Sequence, residues 1–232
     1  MILSAHQSHY LPWLGYLDKI DRADIFVLLD DVQYEKNGWQ NRNRILTPRG
    51  PLWLTVPVHA HLSDRINDVK ITSAVLWQKD HSKSLEQNYH KAPHFPPLWN
   101  LLNGIYEREW SSLAALNLAS LEAILKTLGI EGKKRVCSST LGTTSQATQR
   151  LVDLCKHFKA DTYLSGDGAN VYLDVSLFEK EGIRVEFQHF SHPLYPQLSG
   201  EGETFVEGLS CVDLIFNQGA KSLEILRSAR RK

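Results

Sequence analysis

The sequence predicts an α/β fold: a mostly parallel, Rossmann-like sheet flanked by helices, with a helical insertion at about residues 75–130. Three observations point to it. Strand-like and helix-like segments alternate in both halves of the chain, as βαβ units require. Residues 25–29 are apolar without a break, which suits a strand buried on both faces of a parallel sheet. The proposed strands also end in polar or titratable residues, as they would at a shared carboxyl edge where ligands bind.

Taken in order, residues 2–5 form a short apolar run ending at His6 and Gln7. Pro12 suits a first helical turn, and Leu14, Leu17 and Ile20 follow at a spacing of three. Residues 25–29 then end at Asp30 and Asp31, completing strand, helix, strand. Residues 53–58 are a further strand candidate and 69–71 a short one. Residues 77–128 read as helical, interrupted by Pro93, Pro96 and Pro97, with the clearest apolar stripe at Leu113, Leu116, Leu121, Ile124, Leu125 and Leu128. Residues 135–138 read as a strand. Thr144 or Ser145 is placed to cap the next helix, whose apolar side is Ala147, Leu151, Leu154, Cys155 and Phe158. Residues 162–164 (strand), 171–178 (helix), 183–187 (strand), 210–216 and 222–227 (a helical pair) complete the chain.

Composition narrows the classes. The 232 residues suit a single α/β domain spanning 1–232, with ample material for a core. The 26 basic and 26 acidic side chains cancel, so no global field draws the chain to nucleic acid or anionic lipid. The one basic tract, residues 227–232, is short and reads as a solvated helix end. No apolar run reaches the length of a membrane span, and no basic segment leads into an apolar leader. Cys137, Cys155 and Cys211 are odd in number and far apart, which suits a reducing, cytoplasmic setting. Cys155, on an apolar helix face, makes a poor nucleophile, and Cys211 gains little from the Asp213 that follows it. The close pairs among the 10 histidines lack the partners of a metal motif, so no metal is expected.

Five proposed strands end in His6-Gln7, Asp30-Asp31, Ser138-Ser139, Ser165-Gly166 and Gln188-His189, which would line one rim. The competing explanation is that strand ends are ordinarily polar because they lie at the surface. The densest polar stretch is Trp39-Gln40-Asn41-Arg42-Asn43-Arg44. Extended backbone there puts Asn41 and Asn43 on one face and Arg42 and Arg44 on the other. Two adjacent guanidinium groups suit a phosphate or carboxylate, unless they pair with Asp30, Asp31 or Glu35. Trp39 and Trp53 would add a flat apolar wall. Ser165-Gly166-Asp167-Gly168 is a weak anion-binding turn, without dinucleotide or P-loop spacing.

The pattern His6-Gln7-x-x-Tyr10-Leu11-Pro12-Trp13-Leu14-Gly15-Tyr16, then Ala23-Asp24-x-Phe26-Val27-x-Leu29-Asp30, resembles the opening of the WbqC-like family. So do Val32-Gln33-Tyr34, Trp39-x-Asn41-Arg42-Asn43-Arg44 and Trp53-Leu54-Thr55-Val56-Pro57. Tyr163-Leu164-Ser165-Gly166, His192-Pro193-x-Tyr195-x-Gln197 and Asp213-Leu214-Ile215-Phe216-Asn217-x-Gly219 extend the resemblance over nearly the whole chain. Ser8 stands where that family is expected to have Pro, and Asp167-Gly168 replaces a more Pro/Ala-like pair.

The resemblance implies transfer of glycine or a related acyl group to an amino sugar, in bacterial O-antigen and surface-polysaccharide assembly. The expected partner is a small molecule, an amino-sugar nucleotide. An activated acyl donor is implied, and a thioester, an acyl-adenylate and aminoacyl-tRNA all remain open. His6 is the candidate base, an imidazole titrating near neutrality, with Asp30 to orient it. Gln7, Asn41 or the Gly166 backbone would hold an oxyanion, Arg42 and Arg44 a phosphate, and Tyr10 and Trp13 the sugar or base. Gln33, Trp39, Asn43, Ser165, His192 and Asn217 complete the candidate binding set. Two alternatives stand beside this reading. One is ATP-dependent carboxylate activation, or a nucleotidyltransferase-like activity, to which His6-x-x-His9 is the nearest motif. The other is a non-catalytic module binding a glycan precursor.

Overall fold

A computed structural model describes residues 1–61, 63–72, 76–198 and 204–230. Residue 75, at the start of the expected helical insertion, lies outside them, as do Arg231 and Lys232 of the basic tract. The elements run β1 (Ile2–Gln7), α1 (Leu14–Arg22), β2 (Ile25–Leu29), β3 (Arg42–Thr47), β4 (Gly50–Thr55), β5 (Val58–His59), β6 (Lys70–Ile71), α2 (Trp77–Tyr89), α3 (Phe95–Tyr106) and α4 (Leu113–Leu128). They continue with β7 (Lys134–Cys137), α5 (Ala147–Phe158), β8 (Thr162–Ser165), α6 (Val175–Glu179), β9 (Arg184–Phe187), α7 (Cys211–Gln218) and α8 (Ser222–Ser228). Among the described residues no helix is long and apolar enough to cross a membrane.

The central sheet has five strands in the order β7-β2-β1-β8-β9, all parallel. The chain runs outward from β1 to one edge and then returns to build the other. That doubly wound order leaves a crevice at the carboxyl ends of β1 and β8, where the order reverses.

Strand alternation explains the apolar run of β2. Phe26 and Leu28 face the larger core, against Leu14, Leu17 and Ile20 of α1 and Leu121 and Ile124 of α4. Ile25 and Val27 face the smaller core with Leu3 and Ala5, under Val152 and Cys155 of α5 and Phe178 of α6. Both faces of the strand are buried, so no polar alternation survives in its sequence.

The middle of the chain departs from the sequence reading in one respect. Residues 53–58 are not a strand of the main sheet. They divide into the end of β4, which pairs antiparallel with β3, and the start of β5, which pairs with β6. Pro57 lacks a backbone donor, and the Val56 N–H turns aside to the Asn41 carbonyl at 2.8 Å. Helix α5 starts at Ala147 with Gln146 at its N-cap, and Ser145 bonds the Asp153 carboxylate at 2.6 Å instead of capping. The helix expected over 171–178 is shorter. A 3₁₀ turn, Asp167–Val171, precedes α6, which Asp174 caps by accepting the Ser176 N–H. Pro12 lies ahead of the N-cap, Trp13, rather than in the first helical turn.

Two sequence motifs have structural causes. In Trp13-Leu14-Gly15 the indole lies on the helix, and a Cβ at Gly15 would sit 2.2 Å from its ring atoms. Near the C-terminus, the buried Asp213 carboxylate of α7 accepts from Tyr89 Oη (2.8 Å), Tyr195 Oη (2.8 Å) and Gln197 Nε2 (3.0 Å). The Tyr89 hydroxyl in turn accepts from the Leu46 N–H at 2.9 Å, so one carboxylate ties α2, β3 and the 190–198 segment to α7. Asp213→Ala strips three donors of their acceptor, so its stability should fall by roughly 3–4 kcal/mol. Urea unfolding checks this, and a loss below about 1 kcal/mol would show that the network holds nothing together.

Candidate functional site

The parallel sheet brings all five strand ends to one edge. Their roles differ. Gln188, after β9, is buried and donates to Gly15 O (2.7 Å) and Asp18 Oδ2 (2.8 Å), clamping α1. Ser165 is buried, its Oγ donating to the Gly166 carbonyl at 3.3 Å, while Gly166 is partly exposed beside it. Asp167 accepts from the N–H groups of His189 (2.8 Å) and Phe190 (3.2 Å), which joins the loops after β8 and β9.

At the end of β1 stands a cluster of rings. His6 lies edge-on to His9 (4.7 Å between centroids) and to Tyr16 (5.0 Å), while His9 stacks on Tyr16 at 5.2 Å. Burial, with Lys19 and His9 close by, holds the His6 imidazole well below the ordinary 6.5. Burial, with the same lysine, lowers His9 to about 3. Both rings are therefore neutral at pH 7, so His6 does not titrate near neutrality as the sequence reading expected, and each ring keeps one nitrogen able to accept a hydrogen bond. Lys19, on α1, is buried with its Nζ donating to the Ala5 carbonyl at 2.9 Å, and burial lowers it from 10.5 to about 7.

The two aspartates after β2 have separate fates. Asp31 pairs with Arg150 of α5 and accepts from Ser138 Oγ, and these contacts hold its carboxyl below the ordinary value against burial. Asp30 is buried and accepts from Ser138 Oγ (3.3 Å), Ser139 N (2.9 Å) and Ser139 Oγ (2.7 Å). Asp30 therefore does not orient His6, whose Nδ1 meets the Gln7 carbonyl at 3.2 Å. The start of the turn after β7 captures the carboxylate instead. Cys137 also hydrogen-bonds Asp30, and burial together with that carboxylate raises its thiol pKa. Burial raises Cys155 to about 12 and Cys211 higher still.

The β3–β4 hairpin carries the arginines. Arg42 and Arg44 lie over the Trp53 ring, their guanidinium carbons 4.3 and 5.6 Å from its centroid. Trp39 lies 5.5 Å from Trp53, and both indoles are exposed. Neither arginine has a carboxylate partner among the described residues, and the Nε of each is unpartnered. Arg42 donates to Asn37 O, and Arg44 to Gly208 O at 3.1 Å. The shelf is fastened to β1 by Gln40 Nε2 donating to Gln7 Oε1 at 2.7 Å and by Tyr10 N donating to Trp39 O at 3.2 Å.

Several expected binding residues are structural. Tyr10 is wholly buried, bonded to His81 Nδ1 (2.9 Å) and Tyr106 Oη (2.6 Å), and cannot wall a substrate. Asn41 and Asn43 are buried, donating to Val56 O (2.8 Å) and Leu11 O (2.6 Å). Asn217 donates within α7 to Asp213 O at 2.7 Å. Trp13, partly buried, packs edge-on to Phe190 at 5.7 Å, and His192 lies among Phe190, Tyr195 and Phe205. Exposed Gln33 bridges to Arg65.

Beyond the expected set, the structure gathers His9, Tyr16, Lys19, Asn117 and Cys137 near His6 and Asp30. Only His6-x-x-His9 left a local trace in the sequence. Lys19 falls on the polar side of α1, beside Asp18 and Arg22, where the sequence pattern assigns it to solvent although the fold buries it. Among the described residues no three His, Cys, Asp or Glu side chains converge as a metal centre would require.

The WbqC-like protein family model matches residues 7–225. A Mycobacterium tuberculosis protein named only as uncharacterized is 38% identical over 230 residues, covering 97% of each chain. No solved structure matches.

The buried lysine has a measurable consequence. Its folded pKa of about 7 lies below the ordinary 10.5, so between these values the unfolded chain binds more protons. The wild type therefore gains stability as pH rises from 7 to 10.5 and carries the full burial penalty below pH 7. Lys19→Met should stabilise the protein at pH 6 by on the order of 4 kcal/mol, with the gain fading above pH 10. Denaturant unfolding across that range tests it, and a pH-independent difference would contradict a desolvated ammonium. Asn43→Ala, which frees the Leu11 carbonyl, should cost about 1–3 kcal/mol on the same measurement.

Proposed function

The chain belongs to the WbqC-like protein family, and on that premise we propose that its carboxyl edge transfers an acyl or aminoacyl group to the amine of an amino sugar. The sugar is presented as a nucleotide conjugate, in surface-polysaccharide (O-antigen) assembly on the cytoplasmic side. One observation carries the reading. A pair of neutral imidazoles ends the central strand and is joined through Gln7 and Gln40 to a guanidinium–indole shelf with no carboxylate partner among the described residues.

The chemistry follows from those parts. The acceptor nitrogen attacks the acyl carbon, forming the C–N bond. As the bond to the leaving group breaks, that group departs with the electron pair. The proton lost from nitrogen passes to the neutral His6 imidazole and from there to the leaving group. Gln7 retains an amide N–H for the oxyanion, its Oε1 being engaged by Gln40, and the Gly166 backbone is the second donor. Arg42 and Arg44 hold the phosphates bidentately, and Trp53 with Trp39 supports the base or sugar.

The strand order favours a second reading. A β7-β2-β1-β8-β9 sheet has the nucleotide-binding doubly wound arrangement, which suits ATP-dependent carboxylate activation. Pyrophosphate released from ATP and a carboxylic acid, without any sugar, would replace the first reading with this one.

The test incubates the protein with amino-sugar nucleotides and, in turn, a thioester, an acyl-adenylate and an aminoacyl-tRNA, and follows the N-acylated sugar by mass spectrometry. His6→Gln should lower kcat by about 100-fold or more while leaving affinity for the sugar nucleotide unchanged. Undiminished turnover in that variant would remove His6 from the mechanism. No amide product from any donor would remove the transfer reading.

A further inference from the structure

Between the ends of β1, β2 and β7 and the flank of α4 lies a narrow cavity, lined by His9, Tyr16, Asp30, Asn117 and Cys137, with room for about one water-sized group. Three of these residues carry a polar atom with no partner among the described residues: His9 Nδ1, Tyr16 Oη and Asn117 Oδ1. Their residues are 6%, 1% and 1% exposed, so bulk water does not serve them either. Orphaned polar atoms in so dry a place are costly, and three lining one cavity imply a guest.

The lining also fixes the guest's chemistry. Asn117 is oriented by its Nδ2, which donates to Gln40 O at 2.8 Å and Ser8 Oγ at 3.4 Å, so its Oδ1 is left as an acceptor. Asp30 is a second acceptor. Its bonds come from serine hydroxyls, one backbone N–H and the Cys137 thiol, and no Lys, Arg or His pairs with it among the described residues. Nearby Arg150 is engaged by Asp31, and Lys19 by the Ala5 carbonyl. His9, neutral, and Tyr16 can each accept a further hydrogen. The cavity therefore joins a buried carboxylate lacking a counter-cation to an excess of acceptors, in a space too small for a ring or a phosphate. A hydroxyl brings one proton to this set, whereas a primary amine or ammonium brings two or three and the missing positive charge.

We propose that this cavity is the seat of a primary amino group, held by Asp30, Asn117, Tyr16 and His9. Its identification as the nucleophilic amine of the acceptor rests on the transfer reading above, in which a bound ammonium first gives one proton to the Asp30 carboxylate and so gains the lone pair with which the nitrogen attacks. The seat adjoins the proposed base, since His6 is packed against both His9 and Tyr16.

The test is a titration of isotope-labelled protein with methylammonium, methanol and tetramethylammonium, reading the Asn117 side-chain amide and the His9 ring nitrogens by NMR. Methylammonium should shift these signals saturably, and the other two should not. Tyr16→Phe removes a hydroxyl that has no partner among the described residues, so it should fold as the wild type does while weakening methylammonium roughly fivefold. Asp30→Asn should abolish the response. No saturable shift, an equal response to methanol, or an unchanged affinity in Tyr16→Phe would overturn the proposal and leave a buried water only. No acyl donor is present in the titration. The titration therefore tests the seat alone: saturable methylammonium binding together with no product in the donor assay would overturn the transfer reading and spare the amine seat, and product in that assay without a methylammonium response would do the reverse.

Discussion

The carboxyl edge depends on how the chain leaves its central strand. After Gln7 the backbone turns sharply, and Leu11 adopts a φ of 42°, a conformation that a bulky side chain resists. Strain of this kind costs on the order of 1–3 kcal/mol and persists only where the surroundings over-determine it. Here they do. Asn43 holds the Leu11 carbonyl at 2.6 Å, Trp39 holds the Tyr10 N–H at 3.2 Å, and the Cys211 N–H holds the Pro12 carbonyl at 2.8 Å. The β3–β4 hairpin and α7 thus act as a vice on one loop, and that loop sets where His9, Trp13 and Tyr16 stand.

A second consequence is electrostatic. The vice encloses His9 and Lys19 fully and His6 in part, and burial lowers the pKa of all three. Other charges are paired away from them, Asp31 with Arg150 and Asp18 and Asp21 with Arg230. What remains at the end of β1 is a dry region rich in proton acceptors, with Asp30 on one side and the arginine shelf fastened to the other. Neutral bases and a carboxylate with no cation partner among the described residues cost stability when held in one enclosure.

Much of this layout is written in the sequence, and the rest fails for definite reasons. The unbroken apolar run of β2 and the polar strand ends disclose a parallel sheet with one polar edge, because burial on both faces and a shared direction leave direct traces. The hairpin was legible only as extended polar sequence, since Arg42 and Arg44 alternate with Asn41 and Asn43 whether or not the strand joins the main sheet. Asn41, Asn43 and Tyr10 read as binding groups because a polar residue bonded to a buried backbone looks, in sequence, like one awaiting a ligand. The expected His6–Asp30 pair dissolves because Ser138 and Ser139, more than 100 positions away in the chain, supply the partners of that carboxylate. Asn117 and Cys137 were beyond reach for the same reason, their meaning arising only where α4 and β7 close over β1 and β2.

The chemistry proposed for the carboxyl edge depends on the desolvated, neutral imidazoles that end β1. Their protonation can be read directly from the ring nitrogen shifts of His6 and His9 between pH 4 and pH 8. Both rings should be neutral at pH 6, and His9 should remain so at pH 4, consistent with a pKa of about 3. Titration of either ring with a midpoint near the ordinary 6.5 would mean that water reaches the cluster freely, and the enclosed proton-accepting edge described here would not exist.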